Sequence, residues 1–440
     1  MYDICIIGSG PAGLTIASEF ADANKKICVV ESGGLEKSTH ADSLREVQNT
    51  GEISIMHRSR ERRLGGTSST WTGISAPMDP IDMEGWPFGL SELIPFYRKS
   101  SKYGFPEFEK FEIKNWTPIL RLEAKKFIAG NPPWHFGNEI GHIFDKPNIE
   151  LIVDSTVTHL ISKGTAVTGA QVKKTDGSTK VISAKKFVLA VGGIEAPRLL
   201  LLSTLGNEHD QVGRYLMNHP KKALGFFHFT KPTKNIPYIL KQTEPGWSGY
   251  LGLRIKEDLQ KSLGLVNSYF RLEEVLSLGQ KIIRKVFPRM NFAITEARLW
   301  NFMEMEPIAE NRLTLSETLD ANGQPIPLIK IATTARDRKS IIELHRIFGE
   351  EMERAGIGRL ESDLSKIDPW PIVSDASHHI GGTIMGSDPK RSVVDTNLKV
   401  HSVDNLYICS SSVFPTSGNA NPTYTIVALA IRLAEYLRNV

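Results

Sequence analysis

Residues 3–31 carry two unbroken apolar runs, DICIIG and KICVVES, separated by a glycine turn and the helical stretch PAGLTIASEFADA. Runs without polar alternation suit strands buried on both faces of a parallel sheet, so the pattern predicts a βαβ unit. FVLAV, followed by Gly192-Gly193 and IEAPRLLLLS, predicts a further buried strand entering a helix. NLYICS (405–410) predicts another, with a long apolar helix after it from about Thr425 to Leu437. Between these, IELIVDSTVTHLI, VTGAQVKK and KVISAKKFVLAVGG with the Asp176-Gly177 turn predict a cluster of strands. Residues 76–147 are rich in Pro, aromatic and charged residues, and 220–376 mix alternating strands with amphipathic helices. The expected fold class is α/β: a doubly wound parallel-sheet domain assembled from 1–75, 148–219 and 377–440. The insertions 76–147 and 220–376 are expected to form an α+β, mixed-sheet substrate domain.

The first glycine turn carries a chemical signal. Gly8-Ser9-Gly10-Pro11-Ala12-Gly13 fits G-x-G-x-x-G directly after a strand and at the start of a helix. In a dinucleotide site the first glycine permits the turn, the second lets the backbone approach a pyrophosphate, and the third lets helix and strand pack closely. The helix N-terminus then offers free N–H groups and a favourable dipole to the phosphates. Glu31, at the end of the second strand, stands where a carboxylate accepts ribose hydroxyls, and it disfavours a 2′-phosphate. The fingerprint serves FAD and NAD alike.

Composition narrows the function classes. A chain of 440 residues, 40% hydrophobic and 23% charged, is long enough for two cores. The net charge of +4 is small and dispersed, which argues against nucleic acid as a partner. Cys5, Cys28 and Cys409 make neither a disulfide framework nor a zinc-ligand spacing, so no metal site is expected. No basic and apolar leader precedes the first strand and no run of eighteen apolar residues occurs, so a soluble, cytoplasmic protein without stable membrane insertion is expected. The basic amphipathic segment 280–287, two turns long before Pro288, suggests docking to a membrane or an electron-accepting partner but reads better as a solvated surface helix. His40, His57, His135 and His345 read as solvated or capping residues.

Further motifs carry a family resemblance. Arg62-Arg63-Leu64-Gly65-Gly66-Thr67-Ser68-Ser69-Thr70-Trp71-Thr72-Gly73 resembles the flavin loop of the glucose-methanol-choline (GMC) oxidoreductases, especially their pyranose oxidase-like branch. Gly85-Trp86-Pro87, Gly192-Gly193-Ile194-Glu195-Ala196-Pro197-Arg198, Val212-Gly213-Arg214 through Asn218-His219-Pro220, and Asn311-Arg312-Leu313 are similar to later family elements. The most specific likeness is His378-His379-Ile380-Gly381-Gly382-Thr383-Ile384-Met385-Gly386 together with Val413-Phe414-Pro415 through Asn419-Ala420-Asn421-Pro422-Thr423. Gly382 and Ile384 depart from the family's usual Thr and Arg. The likeness runs from residue 3 to about 437 but skips much of 100–147 and 221–300, where substrate identity would be encoded.

The resemblance implies FAD rather than NAD, with Gly8, Gly10, Gly13, Glu31, Gly65, Gly66, Thr67, Ser68, Thr70, Val157, Ser412 and Pro422 as cofactor residues. It implies non-covalent FAD, because Thr70 stands where pyranose oxidases carry a flavin-linked histidine. It also implies oxidation of a CH–OH group of a sugar, amino sugar or glycoside, with oxygen or another acceptor taking the electrons. An alcohol gives up a hydride, here to flavin N5, as its O–H proton leaves, and histidine is the base with a suitable pKa. The likeness assigns that base to His378, with Asn421 orienting the alkoxide and His379 as the rival base. Alternatives are a lipid or small aliphatic alcohol as substrate, or a non-redox lyase with structural flavin.

Overall fold

In the computed structural model, which describes residues 1–113, 120–234, 245–287, 290 and 292–440, the apolar runs pair as parallel strands. The sheet order is Leu406–Ile408, Ala184–Leu189, Tyr2–Ile7, Ile27–Val30 and Ile149–Ile152. The register sets Ile4 beside Ile27 and Lys186, and Val29 beside Leu151. Strands from three distant segments thus form one sheet, with the fully apolar Ile27–Val30 and the apolar end of Tyr2–Ile7 in its interior. Helix Pro11–Glu19 packs against the C-terminal helix Pro422–Asn439. A separate three-stranded antiparallel sheet (Ser155–Lys163, Ala166–Lys174, Thr179–Ile182) packs on helix Gly192–Ser203, where Ser203 Oγ accepts from Leu160 N at 2.9 Å.

The second large sheet has six strands, in the order Gly358–Glu361, Lys221–Thr233, Ile294–Phe302, Tyr269–Glu274, Trp247–Ile255, Leu122–Gly130. All its pairings are antiparallel. In a further small three-stranded sheet Pro325–Lys330 pairs antiparallel with Arg312–Leu319 and parallel with Gln48–Asn49. Alternation along the six strands separates two faces. Phe227, Leu253, Phe270 and Leu299 face helix Ala335–Arg354 and pack with its Leu344, Ile347 and Phe348, each such burial contributing about 1.5–3 kcal/mol. The other face carries Lys221, Tyr250, Arg271, Trp300 and Phe302 into a cavity.

Two expectations need comment. His345 is neither solvated nor capping: it is buried, with Nδ1 at 2.6 Å from Ser362 Oγ and Nε2 at 2.6 Å from Asn301 Oδ1. The helix faces the sheet at this position, and a core imidazole needs two polar partners. The basic segment forms helix Leu278–Val286, closed by a capping box between Ser277 and Gln280, with no buried residue; Pro288 lies outside the described residues. Among the described residues no helix is long and apolar enough to cross a membrane.

Candidate active site

A cavity of about 660 Å³ runs from the glycine turn to the six-stranded sheet. At one end the three glycines differ as the fingerprint demands. Gly8 has φ +101°, and a Cβ there would lie 2.5 Å from Ala190 O. A Cβ on Gly13 would lie 2.0 Å from Gly8 O, so helix and strand touch through it. A Cβ on Gly10 would meet nothing within 4 Å, because the backbone there faces the cavity. Helix Pro11–Glu19 starts beside it with Pro11 in its first turn and no side-chain cap, leaving its N–H groups for a ligand.

Glu31 is buried and lines the cavity; its Oε2 accepts from Ser9 N (3.0 Å) and Ser9 Oγ (2.7 Å), and its Oε1 from Gly33 N (2.9 Å). Oε1 also accepts from Ser32 Oγ (3.4 Å), so the same carboxylate braces the turn through both oxygens. The 62–73 loop joins this cradle through Gly65 N donating to Ser9 O at 3.0 Å. Gly66, Thr67, Ser68, Thr70 and Val157 line the cavity, whereas Gly13 and Gly65 are packed behind it. Ser412 stands apart: it is fully buried, its Oγ bonded to Thr383 Oγ1 (2.6 Å) and Ser410 Oγ (2.7 Å), while Ser410 and Ser411 line the cavity. These features fit a dinucleotide: a turn open at Gly10, a free helix N-terminus and a carboxylate at the end of the second strand lining the same cavity.

Toward the other end, His378, His379, Asn421 and Pro422 line the same cavity. Asn421 occupies the N-cap of the C-terminal helix, yet its side chain makes no capping bond. Its Nδ2 lies 3.1 Å from His378 Nε2 instead. Forgoing a cap costs about 1 kcal/mol, so the side chain is committed elsewhere against local preference. The loop before it is tied down by Gly418 N donating to Glu304 Oε1 (2.8 Å) and by Lys125 Nζ donating to Asn419 Oδ1 (2.6 Å) and Asp79 Oδ2 (2.9 Å).

The sequence reading gave no role to His219, which sits at the centre of this site. Its Nδ1 is 2.9 Å from His378 Nδ1, and its Nε2 is 2.9 Å from Gly418 O and 3.3 Å from Ser417 O. Carbonyl oxygens only accept, so His219 Nε2 donates and its Nδ1 accepts from His378 Nδ1. His378 Nε2 is therefore left with a lone pair, toward which the Asn421 amide donates. Burial depresses His219 to about 4. Burial first, then the charges of His219 and Lys221, holds His378 well below the usual imidazole range, so both rings are neutral.

Asn218 fixes the two segments together: its Oδ1 accepts from His219 N (2.8 Å) and Ala376 N (3.2 Å), and its Nδ2 donates to Asp375 Oδ1 (2.7 Å). Ser377, directly before His378, is held at φ +64°, a strained conformation for a residue with a side chain. His379 is buried beside Asp375 (3.6 Å) and Ser59 Oγ (3.3 Å). Burial raises Asp375, but hydrogen bonding and attraction to His379 outweigh it and hold the carboxyl low.

Other lining residues were also not singled out by sequence. Glu195 pairs with Arg60 (2.6 Å), Arg62 (2.9 Å) and Arg198 (3.2 Å). Burial alone would raise its carboxyl, but the three cations bring it down to about 2. For His219 the available signal was the polar pair Asn218-His219 following the apolar Leu216-Met217.

Comparison with known proteins agrees with this geometry. Family profiles described as GMC oxidoreductase match residues 141–221 and 307–430, and one described as FAD binding domain matches 3–43. The chain is 34% identical to 6'''-hydroxyparomomycin C oxidase of Streptomyces lividus, over 99% of this chain and 91% of that protein. It is 27% identical to the fructose dehydrogenase large subunit of Gluconobacter japonicus, over 83% of this chain and 69% of that protein. Its fold is similar to that of pyridoxine 4-oxidase from Mesorbium loti, with a TM-score of 0.63 at 17% identity over the whole of both chains.

Proposed function

The chain belongs to the GMC oxidoreductases, which are FAD enzymes, and from that premise we propose that it oxidises a CH–OH group of a sugar or glycoside with His378 as base. The observation that carries this reading is the hydrogen-bond chain from Gly418 O through His219 and His378 to Asn421, at a cavity that also holds the dinucleotide cradle. Similarity to a fructose dehydrogenase subunit and an aminoglycoside-type oxidase favours a sugar, and the aromatic wall of Tyr250, Trp300 and Phe302 suits a sugar face. On the same reading, 1–75, 148–219 and 377–440 form the FAD domain, and 76–147 with 220–376 the substrate domain.

Bound FAD supplies the hydride acceptor. With substrate present the Asn421 amide turns from His378 Nε2 to donate to the substrate oxygen, and the freed Nε2 takes the proton of that hydroxyl. His219 keeps the other proton of His378 on Nδ1, so a single basic nitrogen remains. The electrons then pass to oxygen or another acceptor. Anaerobic mixing of the yellow protein with a panel of sugars tests the proposal: bleaching of the flavin is expected, and a spectrum unchanged by every alcohol would overturn it.

Three further results are expected. Acid precipitation should release intact FAD, because Thr70 has only a hydroxyl where a covalent link would need an imidazole; flavin retained in the pellet would contradict this. His219→Phe should keep FAD but leave the His378 Nδ1–H without an acceptor, a loss of about 1–3 kcal/mol. Flavin reduction should slow roughly 10- to 100-fold. In the parent protein that rate should stay flat through neutral pH and fall only in acid, since a depressed His378 is already the free base and loses that form as pH drops.

A further inference from the structure

Charge is unevenly distributed along the cavity. The lining carboxylates, Glu31, Glu61, Glu195 and Asp320, are all engaged away from His378. Glu31 braces the Ser9 turn, Glu61 pairs with Lys37 and Arg45, and Glu195 and Asp320 pair with Arg198. On the six-stranded sheet the cavity is lined by Lys221, Tyr250, Arg271, Trp300 and Phe302, with no carboxylate among them, and the Lys221 charge is felt at His378.

The two cations of that wall are incompletely partnered. Lys221 is half-buried, and its ammonium makes no hydrogen bond or ion pair among the described residues. Asp375, whose charge it feels, already accepts from Asn218 Nδ2, Met56 N and Ser377 N. Burial pushes the Lys221 ammonium down, outweighing the attraction of Asp375, and the nearby Arg271 charge adds to the depression. Arg271 lies over the rings of Tyr250 (4.6 Å), Phe302 (5.8 Å) and Trp300 (5.9 Å). One nitrogen pairs with Glu273, and the side chain stays 28% exposed where it lines the cavity. Lys125, by contrast, is buried with Asp79 and Asn419 bonded to it. Leaving a buried cationic donor unmatched is costly, and a ligand anion removes that cost.

Taking the proposed alcohol oxidation as given, we propose that Lys221 and Arg271 form an oxyanion subsite, and that the substrate is a sugar-like alcohol bearing a carboxylate or phosphate. The hydroxyl meets His378 while the anion meets the ammonium and the guanidinium, whose fork suits either group. A neutral sugar leaves Lys221 unmatched, and an amino sugar without an anion places like charges together.

The test uses the FAD-loaded protein and first needs no turnover. Inorganic phosphate should perturb the oxidised flavin spectrum saturably, and Lys221→Met and Arg271→Leu should each weaken its binding about tenfold or more. Lys221→Arg should stay within a few-fold of the parent, and FAD content should be the same in all four proteins. D-glucuronate and D-glucose 6-phosphate should displace phosphate far better than D-glucose or D-glucosamine, and the tighter of the two identifies the anion. No perturbation by phosphate, equal binding to parent and Lys221→Met, or equal displacement by D-glucose overturns the subsite. So does a loss of FAD in Lys221→Met with anion binding intact, which would assign the ammonium to the cofactor. The two proposals fail separately. Lys221-dependent anion binding without bleaching by any alcohol overturns the oxidation and leaves the subsite standing. Bleaching by neutral sugars that is indifferent to Lys221→Met overturns the subsite alone.

Discussion

His378→Ala will fold and bind FAD, yet its flavin will be reduced by substrate about 10²- to 10⁴-fold more slowly than in the parent protein. The range is the usual contribution of a positioned acid–base group. His378 is the ring whose lone pair is directed by two neighbours, His219 behind it and Asn421 in front. Raising the pH should restore part of the lost rate, because hydroxide then forms the alkoxide without the protein's help. Asn421→Ala should slow the same step less, since it stabilises the oxygen rather than accepting the proton. His379→Ala is the control: its ring is engaged by Asp375 and Ser59, and a small effect is expected. Rapid anaerobic mixing decides the matter. If His379→Ala is the slow variant and His378→Ala is not, the base is His379; if neither slows, no histidine base operates.

Gly10→Val will fold normally but purify without yellow colour, its affinity for FAD lowered by roughly 100-fold or more. The reason is geometric. A Cβ at residue 10 meets no protein atom within 4 Å, so the fold tolerates it, but it enters the space where the turn must approach the pyrophosphate. Gly13→Ala makes the opposite comparison, since its Cβ would lie 2.0 Å from Gly8 O and must push helix from strand. It should lower the melting temperature as well as FAD content, whereas Gly10→Val should leave the melting temperature of the FAD-free protein unchanged. Glu31→Ala combines both effects in weaker form, because that carboxylate braces Ser9 and Gly33 besides facing the cavity. FAD content after gel filtration and thermal melts of the stripped proteins separate the three cases. Normal FAD content in Gly10→Val would mean that the cofactor lies elsewhere.

Much of this was legible because it is local. The turn at Gly8, the strand–helix–strand order and the apolar runs of the parallel sheet all depend on residues within one unit of chain. Burial on both faces leaves a periodicity that sequence displays directly. Even the partnership of Ile4 with Ile27 and Lys186 is anticipated in kind, since such runs can only pair with one another.

The sequence by itself thus determined the fold class and the glycine turn after the first strand, and through motif resemblance it nominated His378 and Asn421 for the proposed chemistry. Tertiary structure alone decided where His219, Lys221, Arg271 and His345 sit and what they touch. His219 reaches His378 across 159 positions of chain, and Lys221 and Arg271 meet at the cavity because alternate residues of an antiparallel sheet share a face. His345 reads as a surface residue until Asn301 and Ser362 close around it. A side chain's local sequence fixes which face of its element it occupies, but its partner, its burial and its proton affinity are set by what the rest of the fold brings against that face.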